Sequence, residues 1–147
     1  MTPEIRDALP ADEAAWRGLW AGYLDYYGVT LAPEVTAHTW GRMMDPGGRL
    51  KARLACLDGR VAGFAMYLRH ESSWVIGEDC YLEDLFVAPG ARGRGIARAL
   101  IDDLAALARA KGWRRLYWHA DQANAPARRL YDSYVQADGH IRYRMVL

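Results

Sequence analysis

The stretch Tyr81-Leu-Glu-Asp-Leu-Phe-Val-Ala-Pro-Gly-Ala-Arg-Gly-Arg-Gly-Ile-Ala-Arg-Ala-Leu-Ile101 constrains the fold more than any other part of the chain. An apolar strand runs into a glycine-rich turn, and the turn opens a long helix whose Ile96, Leu100, Leu104 and Leu107 form one apolar stripe. Such a junction aims several backbone N–H groups at one point. The helix dipole adds positive charge there, so the turn is built to hold a phosphate-like anion. Two carboxylates, Glu83 and Asp84, interrupt the strand just before the turn. Anion cradle and strand carboxylates together point to an enzyme whose substrate carries a phosphorylated handle.

At 147 residues the chain has the length of one domain with one core, and residues 1–147 are read as a single domain. Apolar residues make up 52% and charged residues 25%, which excludes disordered and fibrous classes. The net charge of +1 argues against bulk binding to nucleic acid, which uses a strongly basic face. No apolar run approaches the roughly 20 residues of a membrane span, and the N-terminal residues lack signal-peptide anatomy, so the expected location is the cytoplasm. Cys56 and Cys80 lack CxxC spacing and read as half-buried thiols in a reducing compartment, not as a zinc or redox pair. His38, His70 and His119 share no ligand-like spacing, so no metal is expected.

Glu4 to Leu9 reads as a first strand. A helix opens at Pro10-Ala11-Asp12 and runs to about Tyr27, with Trp16, Leu19, Trp20, Tyr23 and Tyr27 at helical spacing and Gly28 as its stop. A second helix spans Pro33 to Met44 and ends at Asp45-Pro46-Gly47-Gly48. Strands 51–57 and 61–71 are joined at Asp58-Gly59, a strong hairpin signal. Strand 79–87, helix 93–111 capped by Gly112, a short buried strand 115–119, a short helix 126–134 and an alternating closing strand 141–147 complete the reading. The order β-α-α-β-β-β-α-β-α-β implies a mixed α/β sheet, parallel around the glycine turn.

Three phosphate-binding designs compete for the turn. A nucleotide P-loop needs GxxxxGK[ST], and no such lysine pair follows here. A dinucleotide site needs a small residue where this chain has Arg98. The third design, Arg/Gln-x-x-Gly-x-Gly/Ala, is met at every specified position by Arg92-Gly-Arg-Gly95-Ile-Ala97. With Val87-Ala-Pro89 upstream and Asn124-Ala-Pro-Ala-Arg-Arg-Leu-Tyr131 downstream, whose Asn124, Ala127, Leu130 and Tyr131 fit an Asn-x-x-Ala-x-x-Leu-Tyr helix, the chain resembles the GNAT superfamily of N-acetyltransferases. The resemblance spans nearly all of the chain. It implies a mixed, mostly antiparallel sheet with a splayed parallel pair, flanked by helices. The Glu-Asp-Leu-Phe-Val strand looks like the polyamine and small-amine branch, and Ile141-Arg-Tyr-Arg-Met looks like the branch with some histone-like enzymes. One departure concerns residues 132–140, which stand where the family commonly has Gly-Phe. His140 there either lines the acceptor pocket or lies on the surface.

The resemblance implies acetyl-CoA as co-substrate. The coenzyme pyrophosphate would face the N–H groups of Arg92, Gly93, Arg94, Gly95, Ile96 and Ala97, with the Arg92 and Arg94 side chains adding charge. The pantetheine arm would pair along Leu85, Phe86 and Val87, with the Phe86 or Val87 N–H facing the thioester oxygen. Asn124 and Arg128 are further coenzyme contacts, and Asn124 also suits a helix N-cap. An alkyl ammonium with a pKa near about 10.4 must lose a proton, and a thiolate with a pKa of roughly 8.5 must gain one. Glu83 is the candidate base, through a water, its pKa raised by burial; simple alternation puts it on the face of Tyr81 and Leu85, opposite Asp84 and Phe86. Tyr131 is the candidate acid. Internal salt bridges, core packing and a solvated basic turn are the structural readings set against these roles.

The acceptor is expected among Tyr23, Asp25, Tyr26 and Tyr27, near Asp84, with Glu71, Glu78 and Asp79 near the strand entry; Tyr67, Tyr81 and Trp118 either wall the pocket or pack the core. Acid beside aromatic suits a cationic amine. A small amine or polyamine is the first reading, a protein lysine or N-terminus the second, and a catalytically silent acyl-CoA-binding module the third. Neither cysteine has a nucleophile setting, so the amine is expected to attack the thioester directly. A homodimer is the expected assembly.

Overall fold

A computed structural model describes residues 2–147. Five strands form one sheet in the order β1-β2-β3-β4-β5: β1 (Glu4–Asp7), β2 (Lys51–Leu57), β3 (Arg60–Glu71), β4 (Glu78–Val87) and β5 (Leu116–Tyr117). Neighbours are antiparallel except β4 and β5, which are parallel. Asp58 and Gly59 both take positive φ, 51° and 76°, the conformation of a tight hairpin turn, and place β3 directly against β2.

Helices cover both faces. On one face α1 (Glu13–Tyr27) and α2 (Pro33–Met44) press Trp16, Trp20, Trp40 and Met43 onto Leu54, Phe64, Met66 and Phe86. On the other, α3 (Ile96–Lys111) sets Ile96, Leu100, Ile101 and Leu104 against Ala55, Ala65, Tyr67, Cys80 and Leu82. The close approach of α3 requires Gly63: a Cβ there would meet the Phe86 carbonyl oxygen at 2.9 Å and Ile96 Cγ2 at 3.2 Å. The short α4 (Ala125–Asp132) follows β5 and lays Leu130 and Tyr131 against this second core.

Three expectations are corrected. Segment 115–119 forms only the two-residue β5, and it is half-exposed because its outer edge has no neighbour. The closing strand 141–147 is not formed; residues 135–147 carry no regular structure, and Ile141, Tyr143, Met145 and Leu147 are exposed. Residues 93–95 belong to the turn rather than to α3, which starts at Ile96.

Candidate active site

The site is built where β4 and β5 part. They pair at Cys80–Leu116 and Tyr81–Tyr117 and at no later residue, so the edge of β4 from Leu82 to Val87 is left open. That edge leads to a short turn at Pro89–Ala91 and then to the glycine loop. Gly93 and Gly95 take φ of 76° and 75°, a left-handed conformation that costs other residues about 1–2 kcal/mol. The first turn of α3, whose N–H groups have no partner within a helix, opens beside a cavity of about 200 Å³. Val87, Arg92, Gly93, Gly95, Ile96 and Ala97 line this cavity. Arg94 is exposed on the turn. The Arg92 guanidinium is folded back, 5.5 Å above the Phe86 ring, and donates to the Val87 carbonyl at 3.2 Å.

Expected coenzyme contacts divide into lining and bracing groups. Leu85 and Val87 pack towards α3, whereas the Phe86 side chain is buried against Tyr23 and Phe64, leaving only its backbone for the open edge. Asn124 caps α4, accepting from the Ala127 N–H at 3.3 Å, and Arg128 donates to the Gln122 carbonyl at 3.1 Å. Both brace the loop that leads into α4.

A β-bulge decides where the carboxylates go. Met66 stands opposite Asp84, and Tyr67 opposite Leu82, so Glu83 has no partner on β3. Leu82 and Leu85 consequently both pack on the α3 side, with two residues between them where a regular strand has one or three. This overturns the simple alternation that grouped Glu83 with Leu85. It also reverses the burial: Glu83 is exposed, while Asp84 is largely enclosed and accepts a hydrogen bond from Tyr23 Oη at 2.6 Å. Loss of water, partly offset by the Tyr23 hydrogen bond and reinforced by the Glu83 charge, pushes the Asp84 carboxyl up to about 6. Desolvation and Asp84 hold the Tyr23 phenol firmly protonated.

Around the two acids stand tyrosines. Tyr27 packs on Tyr23 at 4.9 Å between ring centroids and feels the charge of Asp84; Tyr131 feels Tyr27 in turn. Tyr131 sits edge-on to Trp118 at 5.5 Å, and burial raises its phenol above the usual range, so it stays protonated. Tyr81 feels both Glu83 and Asp84. Tyr67 does not join them: it is buried on the α3 side against Trp113. His140 is exposed and pairs with Asp138 at 3.0 Å, and Asp79 is buried under Arg115 at 2.6 Å, so neither faces the acids. Cys56 and Cys80 are fully rather than half-buried, and burial pushes the Cys80 thiol up to about 12, which disfavours a thiolate.

One feature of the site escaped the sequence reading. Tyr81 stacks on Tyr117 at 4.9 Å, the Tyr117 hydroxyl meets His70 Nε2 at 2.6 Å, and the Tyr81 hydroxyl meets His119 Nδ1 at 3.2 Å. These four residues come from three strands and the segment after β5. Only strand register, which the sequence does not display, brings them together.

Strands β4 and β5 part beside the glycine turn that opens α3, and comparison with known proteins gives the class of this arrangement: an acyltransferase. The Acetyltransferase (GNAT) family model matches residues 14–134. D-amino-acid N-acetyltransferase HPA3 of Saccharomyces cerevisiae is 35% identical over 137 residues, covering 92% of this chain and 85% of that protein. Aminoglycoside N(6')-acetyltransferase type 1 of Stenotrophomonas maltophilia is 35% identical over 124 residues, covering 78% and 72%. Among solved structures, AAC(6')-Iy in complex with the bisubstrate analog CoA-S-monomethyl-acetylneamine shares the fold with a TM-score of 0.83 at 20% identity, over 100% of both chains. The chain belongs to the GNAT acetyltransferase family. Among the described residues no group of His, Cys, Asp and Glu is placed to hold a metal ion, and no helix is long and apolar enough to cross a membrane.

Proposed function

We propose that the protein transfers the acetyl group of acetyl-CoA to a primary amine on a small molecule, by direct attack of the amine on the thioester. The observation that carries this reading is the open edge of β4, which runs from the glycine cavity to the Asp84–Glu83 pair and joins a donor site to an acceptor site. The pyrophosphate of the donor lies on the N–H groups of residues 92–97, and its pantetheine arm lies along Leu85, Phe86 and Val87. A backbone N–H of Phe86 or Val87 polarises the thioester carbonyl. The family relationship and the bisubstrate complex of a neighbour with the same fold support the choice of donor.

The acceptor ammonium is held by Asp84, which is mostly ionised at neutral pH with its carboxyl near 6, and is flanked by the Tyr23, Tyr27 and Tyr81 rings. Glu83, exposed at the bulge, takes the proton through water. The free amine then attacks the carbonyl carbon; the C–N bond forms, the nitrogen releases its second proton to water, and the C–S bond breaks. Tyr131, kept protonated by burial, gives its proton to the departing thiolate. A small acceptor fits the relatives, whose names record D-amino acids, thialysine and an aminoglycoside as their substrates. Burial of both thiols favours direct transfer over an acyl-enzyme, and it is compatible with a reducing cytoplasm.

Thiol release from acetyl-CoA, measured against D-amino acids, a thialysine-type amino acid, an aminoglycoside, a polyamine and a histone-tail peptide, tests the proposal. Turnover with at least one small amine and none with the peptide is expected. Turnover with the peptide alone overturns the acceptor class.

A further inference from the structure

Acetyl transfer uses the N-terminal end of α3, and a second, larger cavity of about 430 Å³ lies at its other end. Ile96 and Ala97 line the glycine cavity, whereas Leu107 and Lys111 of the same helix line this one. From Ile96 to Lys111 the helix rises about 23 Å at 1.5 Å per residue, so the two cavities are separate. Five cations, Arg49, Lys51, Arg53, Arg69 and Lys111, and one carboxylate, Asp7, stand in its walls. Arg53 is occupied: it donates to Asp7 at 2.7 Å and to Asp103 at 2.8 Å. Arg69 lies 3.6 Å from Glu78. Arg49, Lys51 and Lys111 have no carboxylate partner among the described residues, and Lys51 donates only to the uncharged Asp45 carbonyl. Five cations against these three carboxylates leave two positive charges unmatched around one recess. That is the charge of a phosphate dianion, and like charges gathered in a cleft raise the local concentration of such an anion. The carbonyl end of α3 is the negative end of its dipole, and Lys111 in the last turn offsets it there.

The rest of the wall is apolar and aromatic. Met43, Leu107 and Trp113 line it, and Tyr67 packs its ring on Trp113 at 6.0 Å between centroids. Tyr67 is only 6% exposed, yet its phenol has no hydrogen-bond partner among the described residues and feels Asp7, Arg53 and Asp103 across the cavity wall. Burial pushes that phenol up to about 12, so it is a donor left unused. A buried donor without a partner is costly, and a ligand oxygen would satisfy it. We infer that this cavity is a second anion site, distinct from the coenzyme turn, that takes a small aromatic monophosphate. The phosphate sits among Arg49, Lys51 and Lys111, and the ring lies on Trp113 and Met43. The volume falls in the range of sites for small organic ligands, and the mixture of an apolar floor with a few charged groups is what fixes such a ligand in one orientation.

Phenyl phosphate and inorganic phosphate, titrated into the full chain and followed by the Trp113 indole N–H resonance, test this beside an Arg49→Ala/Lys111→Ala double variant and Gly95→Ala. Arg49 and Lys111 are exposed, so the double variant is expected to keep the parent melting temperature. Phenyl phosphate is expected to shift the Trp113 resonance saturably. The double variant is expected to bind it roughly tenfold more weakly, as loss of hydrogen bonds from charged groups does. Inorganic phosphate is expected to bind the parent roughly tenfold more weakly than phenyl phosphate, because it buries no ring. Gly95→Ala, at the other end of α3, is expected to leave the Trp113 response unchanged. No saturable shift of Trp113, equal affinity in the double variant, equal affinity for the two phosphates, or a response weakened by Gly95→Ala overturns the inference.

Discussion

Tyr23 donates its phenolic proton to Oδ1 of Asp84 at 2.6 Å, tying α1 to the bulge in β4. The contact joins the aromatic core under α1 to the one strand carboxylate whose proton affinity is strongly raised. It has consequences for stability as well as for chemistry.

The Asp84 carboxyl lies at about 6 in the folded chain against an ordinary 3.8. Between those values the folded chain binds a proton that the unfolded chain has released. The contribution of Asp84 to stability is therefore fully present below about pH 4 and is lost as pH rises through about 6. Asp84→Asn removes this dependence. Thermal melting of the variant is expected to match the parent near pH 4 and to exceed it by several degrees at pH 8, at roughly 2–8 °C per kcal/mol.

The neighbours of Asp84 act on it in opposite senses. Tyr23 stabilises the carboxylate by hydrogen bonding, and Glu83 opposes it by like charge. In carboxyl-carbon NMR titrations, Tyr23→Phe is expected to move the Asp84 midpoint upward, on the order of one pH unit for loss of a hydrogen bond to a charged group. Glu83→Gln is expected to move it downward.

If Asp84 holds the acceptor ammonium, protonating it weakens acceptor binding. KM for a cationic amine is then expected to rise about tenfold per pH unit below about 6, while the affinity for coenzyme A, by calorimetry, stays constant.

Gly95 has φ of 75° and open space around the position of a Cβ. Gly95→Ala is expected to lower stability by about 1 kcal/mol through backbone strain. It is also expected to weaken coenzyme A binding on the order of tenfold, because the added methyl narrows the approach to the N–H groups. Melting curves and calorimetry on the same sample separate the two effects.

Much of this was legible because local chemistry dictates it. The Asp58-Gly59 hairpin, the apolar stripe of α3 and the Arg92–Ala97 turn each depend on residues within a few positions of one another, and the structure has all three. What the sequence hid depends on register. Nothing in Leu82-Glu-Asp-Leu85 announces a bulge, because the extra residue is defined only against Met66 and Tyr67 on β3. The exposure of Glu83 and the desolvation of Asp84 follow from that one residue. The alternation of 141–147 suggested a closing strand that is not formed, because alternation sets which face a residue takes only once the segment pairs with an edge.

The measurement closest to the central claim compares turnover and binding in Tyr131→Phe. The ring stays against Trp118 and only the hydroxyl is lost. Thiol release from acetyl-CoA with an accepted amine is expected to fall about 100-fold in kcat, as removal of a general acid does, with coenzyme A affinity unchanged within about twofold. Full turnover in this variant would contradict the assignment of Tyr131 as the proton donor in the gap between β4 and β5.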